Sequence, residues 1–301
     1  MQFDWTTLGG KSPNALVKAR NVAHHALQWT TKAARANLEA VADDSHSSLT
    51  WDSARGALFC QPLPAGDVSV RVGLRLSGLA LIVMRGSLVL DTYELAGRRD
   101  SMVGVWLDSA LRALGLKAAT EVTLPYTIPS HPVARGSAYS FNGEAEAFEE
   151  LVRWFDAAAD LLQDVRMNFT EGRADAARCW PHHFDMATLI SFDPPEAANA
   201  RSIGIGFSPG DHYYPQPYIY VSPHPQPKGA ALPPLALGHW HAEGFIGAIA
   251  IAESILALDD RSAGVSEFVR SAFDASRALI GVAPVEQAEQ VEPVEQPEQA
   301  Q

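Results

Sequence analysis

Three kinds of residue or pattern are scarce in this chain, and each scarcity removes a class of function. Cysteine is one. Cys60 and Cys179 are the only two in 301 residues, far apart and without Cys-x-x-Cys spacing, so neither a disulfide framework nor a thiolate zinc site is predicted. Two free thiols buried in a reducing compartment are the expectation. Positive charge is the second: 23 Lys and Arg stand against 35 Asp and Glu, for a formal net charge of -12. A nucleic-acid surface needs a basic stripe to displace counterions from phosphates, and none is present, so no nucleic-acid partner is expected. Long apolar runs are the third. The longest, Phe245 to Ala252, stops at Glu253, well short of the ~20 residues that span a bilayer. Met1-Gln2-Phe3-Asp4-Trp5 has neither the basic nor the apolar region of a secretory leader. The expectation is a cytoplasmic protein with no membrane partner; oligomeric state is not readable.

Familiar catalytic signatures are also missing. Nothing has the spacing of a zinc-protease helix, a phosphate loop or a nucleophile elbow. Gly204-Ile205-Gly206 lacks the third glycine and the helix of a dinucleotide fingerprint and reads as a strand.

What is present is enough apolar material, 47% of the chain, to bury a sizeable core. Ser12-Pro13 reads as an N-cap with proline at the first helical position. Leu16, Ala23, Leu27, Ala34, Leu38 and Val41 follow at helical spacing, which predicts a long amphipathic helix ending near Asp43-Asp44-Ser45. His24 and His25 sit on it, about 100° apart around the axis, too divergent to share a ligand; a surface or packing role is expected. From Ala57 to Leu95 short β-rich runs (68–72, 78–84 and 88–93) alternate with turns, implying an antiparallel meander. Helices are predicted over 101–114 and 144–169, with a further strand at 122–124. Strand-like runs then recur at 184–192, 202–207 and 218–222, and helices at 245–258 and 265–280.

This order predicts an α+β fold: antiparallel sheets packed with long helices, with an internal pseudo-duplication suggested by element order alone. The domain expectation is one unit over 1–281, with halves 1–140 and 141–281, and a disordered Pro/Glu/Gln-rich tail over 282–301. Pro284-Val285-Glu286-Gln287 is echoed by Pro293-Val294-Glu295-Gln296, and five glutamates from Glu286 to Glu298 face no basic residue.

His25-Ala26-Leu27-Gln28-Trp29, Ala54-Arg55-Gly56-Ala57, the loop to Tyr139, the 148–169 helix and Phe184-Asp185-Met186-Ala187 occur in that order. In this order of motifs, from about residue 20 to about residue 225, the chain resembles a family of bacterial proteins known as domain-of-unknown-function family 5996. The chain departs from the family pattern at Trp180-Pro181-His182-His183, and Gly238 to Glu243 has no counterpart in it. The resemblance implies a fold and a bacterial origin and carries no activity.

Four of the ten histidines fall in two apolar-flanked segments, Trp180-Pro181-His182-His183-Phe184-Asp185 and Gly238-His239-Trp240-His241-Ala242-Glu243. If each is extended, alternation puts His183 and Asp185 on one face with His182 opposite, and His239 and His241 on one face. Histidines at i and i+2 on a strand can chelate one ion, so His183, His239 and His241 are the predicted ligands of a divalent metal, Zn or Fe. Asp185 and Glu243 are the predicted catalytic carboxylates, Glu243 as a general base because it lies too far along a straight strand to share the shell. The two segments are accordingly expected to converge. Three readings stay open: a metal site, a metal-free polar pocket, and a packed sheet rim with Glu243 in the first turn of the next helix. Asp211-His212-Tyr213-Tyr214 and Tyr218-Ile219-Tyr220 line a pocket mouth or pack as strand aromatics. The functional alternatives are a metal-dependent enzyme acting on a small molecule and a non-catalytic small-ligand-binding or interaction protein with a His/Tyr cleft.

Because the tail has no apolar face to dock, deleting residues 283–301 is expected to leave the thermal midpoint unchanged in calorimetry. A clear fall would show that the tail packs.

Overall fold

Two antiparallel runs of strands, each preceded and followed by a helix, make up the chain in the computed structural model, which describes residues 3–227 and 229–283. The first run begins with α1 (Val17–Asn37), entered through a 3-10 turn at Pro13–Leu16. It continues through β1 (Leu49–Asp52), β2 (Ala57–Cys60), β3 (Leu63–Ala65), β4 (Val68–Arg75), β5 (Ala80–Arg85) and β6 (Leu88–Glu94) to α2 (Asp100–Ala113). The second begins with α3 (Ala145–Asn168) and passes through β7 (Arg173–Ala174), β8 (Arg178–Trp180), β9 (Asp185–Ser191), β10 (Ser202–Ser208) and β11 (Tyr218–His224). It closes with β12 (His239–His241), β13 (Gly247–Ile251), α4 (Ala252–Leu256) and α5 (Arg261–Leu279).

All these strands join one sheet, in the order β12-β13-β11-β10-β9-β8-β1-β2-β4-β5-β6, with β3 paired to β4 and β7 to β9. Every pairing is antiparallel, and the two runs meet where Leu49 of β1 faces Cys179 of β8. The α+β architecture of antiparallel sheet and long helices is therefore as predicted. The repeated order of helix, meander and helix gives the pseudo-duplication a topological basis.

The period-two alternation of the strands assigns their faces. On β10, Ile203, Ile205 and Phe207 are buried against the helices, leaving Gly204 and Gly206 on the opposite face. One core runs from Trp5 to Ile280 across both halves. At its centre Phe155 of α3 stacks on Trp51 of β1 at 5.1 Å and lies 5.5 Å from Phe184 and 5.3 Å from Phe207. Both cysteines are free and buried, and burial raises both thiols, Cys60 to about 12.

Several boundaries differ from the expectation. Helix α1 ends at Asn37, because Leu38 is extended at the C-cap; the apolar pattern through Val41 continues in a loop. Residues 122–124 follow a 3-10 turn and form no strand. The run after Phe245, predicted to be helical, is strand β13 followed by the short α4. A continuous apolar run buried on both faces has no alternation to distinguish strand from helix, and its Ile residues suit a strand. The tail also starts later than residue 282. The Val282 N–H donates to the Arg277 carbonyl at 2.9 Å and the Arg277 guanidinium to the Ala283 carbonyl at 2.6 Å. The remainder of the predicted tail, from 284, lies outside the described residues. Among the described residues, no helix is long and apolar enough to cross a membrane.

Because Phe155 touches aromatic groups from both runs, Phe155→Ala is expected to cost about 3–5 kcal/mol in denaturant unfolding. A cost near that of an exposed substitution would mean that the two halves are held together elsewhere.

Candidate functional site

The face of the sheet turned away from the helices carries the polar groups of the second half. In register across it, Ala187 of β9, Gly206 of β10, Tyr220 of β11, Ile249 of β13 and His239 of β12 form one row. Tyr220 does not stand upright. Its ring lies across β10 over Gly206, where a Cβ would stand 2.4 Å from its Cζ, and its hydroxyl donates to Asp185 Oδ2 at 2.5 Å. Only glycine permits that crossing. Asp185 Oδ1 is shut from solvent and has no hydrogen-bond partner among the described residues. Burial raises the Asp185 carboxyl above its ordinary range, opposed by the Tyr220 hydrogen bond and by His183. Burial, then the Asp185 charge, holds the Tyr220 phenol well above its ordinary value.

Beside this pair lies a cavity of ≈ 490 Å³. Arg178 and Trp180 of β8, Asp185, Ala187 and Leu189 of β9, Gly204 and Tyr220 line it from the sheet. His182, His183, Asp43 and Asp175 line it from the loops. The segment from Trp180 to Asp185 is not extended as predicted. The N–H groups of His183 and Phe184 both donate to the Trp180 carbonyl, at 3.2 and 2.7 Å, and Phe184 takes a left-handed φ of 60°. In this turn the His182 and His183 rings lie 4.2 Å apart, tilted by 51°, instead of pointing to opposite faces, and both reach the cavity with Asp185.

Helix α1 supports the turn. His24 Nε2 donates to the Pro181 carbonyl at 3.0 Å and Gln28 Nε2 to the same oxygen at 2.9 Å, while the His24 ring stacks on Phe184 at 5.4 Å. The Tyr126 hydroxyl donates to Gln28 Oε1 at 2.9 Å, completing the amide. His24 is thus a packing group, buried where a surface position was an alternative. His25 is buried too, bonded to the Pro129 carbonyl at 2.7 Å. Burial lowers both His24 and His182 to about 4, so both are neutral imidazoles at neutral pH.

The two histidine segments do not converge, which corrects the shared site expected of His183, His239 and His241. β10, β11 and β13 lie between β9 and β12; at ~4.8 Å per strand the separation is roughly 19 Å across the sheet. Among the described residues no three His, Cys, Asp or Glu side chains group to hold a metal ion. His239 and His241 do share a face of β12, and the group they enclose is Tyr214, whose hydroxyl lies 2.8 Å from His239 Nε2 and 3.0 Å from His241 Nδ1. Glu243 is exposed, in the loop before β13 instead of a helix; its backbone carbonyl meets His241 Nε2 at 2.6 Å.

Arg178 and the glycine pair were not singled out as site residues by the sequence, and Tyr220 was read only as lining a pocket mouth or packing as a strand aromatic. A signal existed: Gly204 and Gly206 are two apart, which places both on one strand face, and glycines so placed mark a close approach by another group. No family model, curated protein or solved structure matches the chain.

The buried His24 supplies a test of this support. Its folded value of about 4 lies below the ordinary 6.5, so between those pH values the unfolded chain binds more protons and stability rises with pH. The contribution is complete above pH 6.5 and is lost as pH falls towards 4, on the order of 3 kcal/mol in all. His24→Gln, which keeps a donor for Pro181, is expected to flatten the dependence of unfolding free energy on pH in that window. An unaltered slope would show that His24 titrates normally.

Proposed function

We propose that the chain is a small-molecule-binding protein and that its ligand occupies the cavity beside Asp185 and Tyr220. The resemblance to family 5996 and the bacterial origin it implies are part of the same proposal. The observation that carries the reading is the Asp185 carboxyl group, which lines a cavity of ligand size, accepts once from Tyr220, and has its second oxygen buried without a partner.

An orphaned buried acceptor costs about 1–3 kcal/mol, and a ligand donor recovers that cost on binding once a shift of the lining side chains uncovers Oδ1. The cavity volume falls within the usual range for small-ligand sites, about 300–1,000 Å³. Trp180, Tyr220, Leu189 and Ala187 offer flat and apolar surface, and the neutral His182 adds a ring without charge. The ligand class that suits this lining is a flat apolar body carrying one amine. A cationic amine beside Asp185 favours its charged carboxylate and so opposes the burial that raises it. Arg178 and His183 stand on the same lining for an acceptor elsewhere on the ligand.

This reading favours the binding-protein alternative over a metal-dependent enzyme built on His183, His239 and His241. Its support is that Asp185 is joined to a tyrosine and a cavity, while His183 lies far across the sheet from His239 and His241. Titration calorimetry with phenethylamine, and with 2-phenylethanol as the uncharged control, tests it. The amine is expected to bind and the alcohol to bind at least tenfold more weakly, with Asp185→Asn abolishing the difference. Equal binding of amine and alcohol, or an unchanged preference in the Asn variant, would rule it out.

A further inference from the structure

The second cluster on the polar face lies away from the cavity, at the β12 edge of the sheet, and centres on the Tyr214 hydroxyl. Tyr214 Oη stands 2.8 Å from His239 Nε2 and 3.0 Å from His241 Nδ1. Donor atoms around one metal ion, bonded at about 2.0–2.1 Å and at angles near 90–110°, are separated by about 2.9–3.4 Å. The two spacings to Tyr214 Oη need little adjustment to meet that condition. The residues contributing them are two imidazoles at i and i+2 on one strand face and a phenol, a set not confined to the usual His, Cys and carboxylate ligands.

The protonation pattern agrees. A carbonyl only accepts, so His241 Nε2, 2.6 Å from the Glu243 carbonyl, carries its ring proton, and Nδ1 presents a lone pair to Tyr214. A metal-ligating histidine is held in this way, its outer nitrogen donating to a backbone oxygen. The His241 ring is further fixed between Tyr213 at 4.6 Å and Phe245 at 4.4 Å. Tyr214 is also positioned: its N–H donates to Asp211 Oδ1 at 3.0 Å, and its carbonyl accepts from the Asp211 N–H at 2.8 Å. His239 is exposed, which leaves an entry path from solvent.

We propose that Tyr214 Oη, His239 Nε2 and His241 Nδ1 bind one Cu(II) ion, with a further coordination position open to solvent beside His239. Copper is the choice because it binds imidazole sites most tightly among the divalent first-row ions. On binding, the phenol proton passes to solvent and the phenolate oxygen bonds copper. The His239 ring proton moves from Nε2 to Nδ1, freeing the Nε2 lone pair. One proton is released per copper, and no electron is transferred.

The test is titration of the full chain, stripped of metal, with copper sulfate, read by electron paramagnetic resonance, visible absorption and proton release. One equivalent is expected to bind, with nitrogen hyperfine structure, a phenolate-to-copper charge-transfer band and one proton released. His239→Ala, a change at an exposed position, is expected to weaken binding at least a hundredfold. Tyr214→Phe is expected to retain a weaker nitrogen-ligated site while losing both the band and the released proton. His212→Ala, which removes a neighbouring imidazole, is expected to change nothing. The absence of stoichiometric copper, a band that survives Tyr214→Phe, or a site lost in His212→Ala but kept in His239→Ala would overturn the assignment.

Discussion

A buried polar stripe on α1 holds both functional regions in place. Arg20, His24 and Gln28 follow one another at four-residue spacing and therefore lie along one face of the helix. All three are buried. His24 and Gln28 converge on the Pro181 carbonyl and so fix the turn that presents His182 and His183 to the cavity. Arg20 donates to the Pro215 carbonyl at 3.0 Å, in the loop that carries Asp211 and Tyr214. One helix thus supports the turn beside Asp185 and the loop beside His239 and His241. The Pro181 carbonyl accepts from two of these donors and the Pro215 carbonyl from the third, and a buried donor left without an acceptor would bear the desolvation cost of a buried polar group.

The sheet adds a second constraint. Its helix-facing side is filled by Ile203, Ile205, Phe207 and their neighbours, so polar chemistry is confined to the other side. There, glycines on β10 leave a shallow channel between β9 and β11, and Tyr220 lies across it to reach Asp185. At the edge, where β12 pairs only with β13, the sheet ends in an exposed histidine. The two clusters differ because one is roofed by the β8–β9 turn and the other is open to solvent. A cavity for an organic ligand fits the first, and a solvent-entered ion fits the second.

Much of this was legible in the chain. Turn residues between β-rich runs marked the β4–β6 meander, and the apolar stripes of α2, α3 and α5 marked their helices within a few residues. Alternation also placed His239 and His241 on one face. The same alternation failed at Trp180 to Asp185, because a left-handed Phe184 and two N–H groups on one carbonyl form a turn there. It failed again after Phe245, where an apolar strand buried on both faces has no polar side to reveal its period. On α1 the apolar stripe hid the polar one, since helical spacing alone does not show that Arg20, His24 and Gln28 face carbonyls across the core.

By itself the sequence determined the class of the protein: an antiparallel sheet with long helices, acidic and poor in cysteine, with histidines gathered in two short segments. These properties depend on local periodicity, turn chemistry and composition, all of which act over a few residues. Which groups meet was decided only by the tertiary structure. Strand order inserts β10, β11 and β13 between the two histidine segments and so gives each a different partner, Asp185 with Tyr220 and His239 and His241 with Tyr214. Pairing order depends on long-range contacts whose cost and gain are shared by the whole sheet, and no short stretch of sequence encodes it.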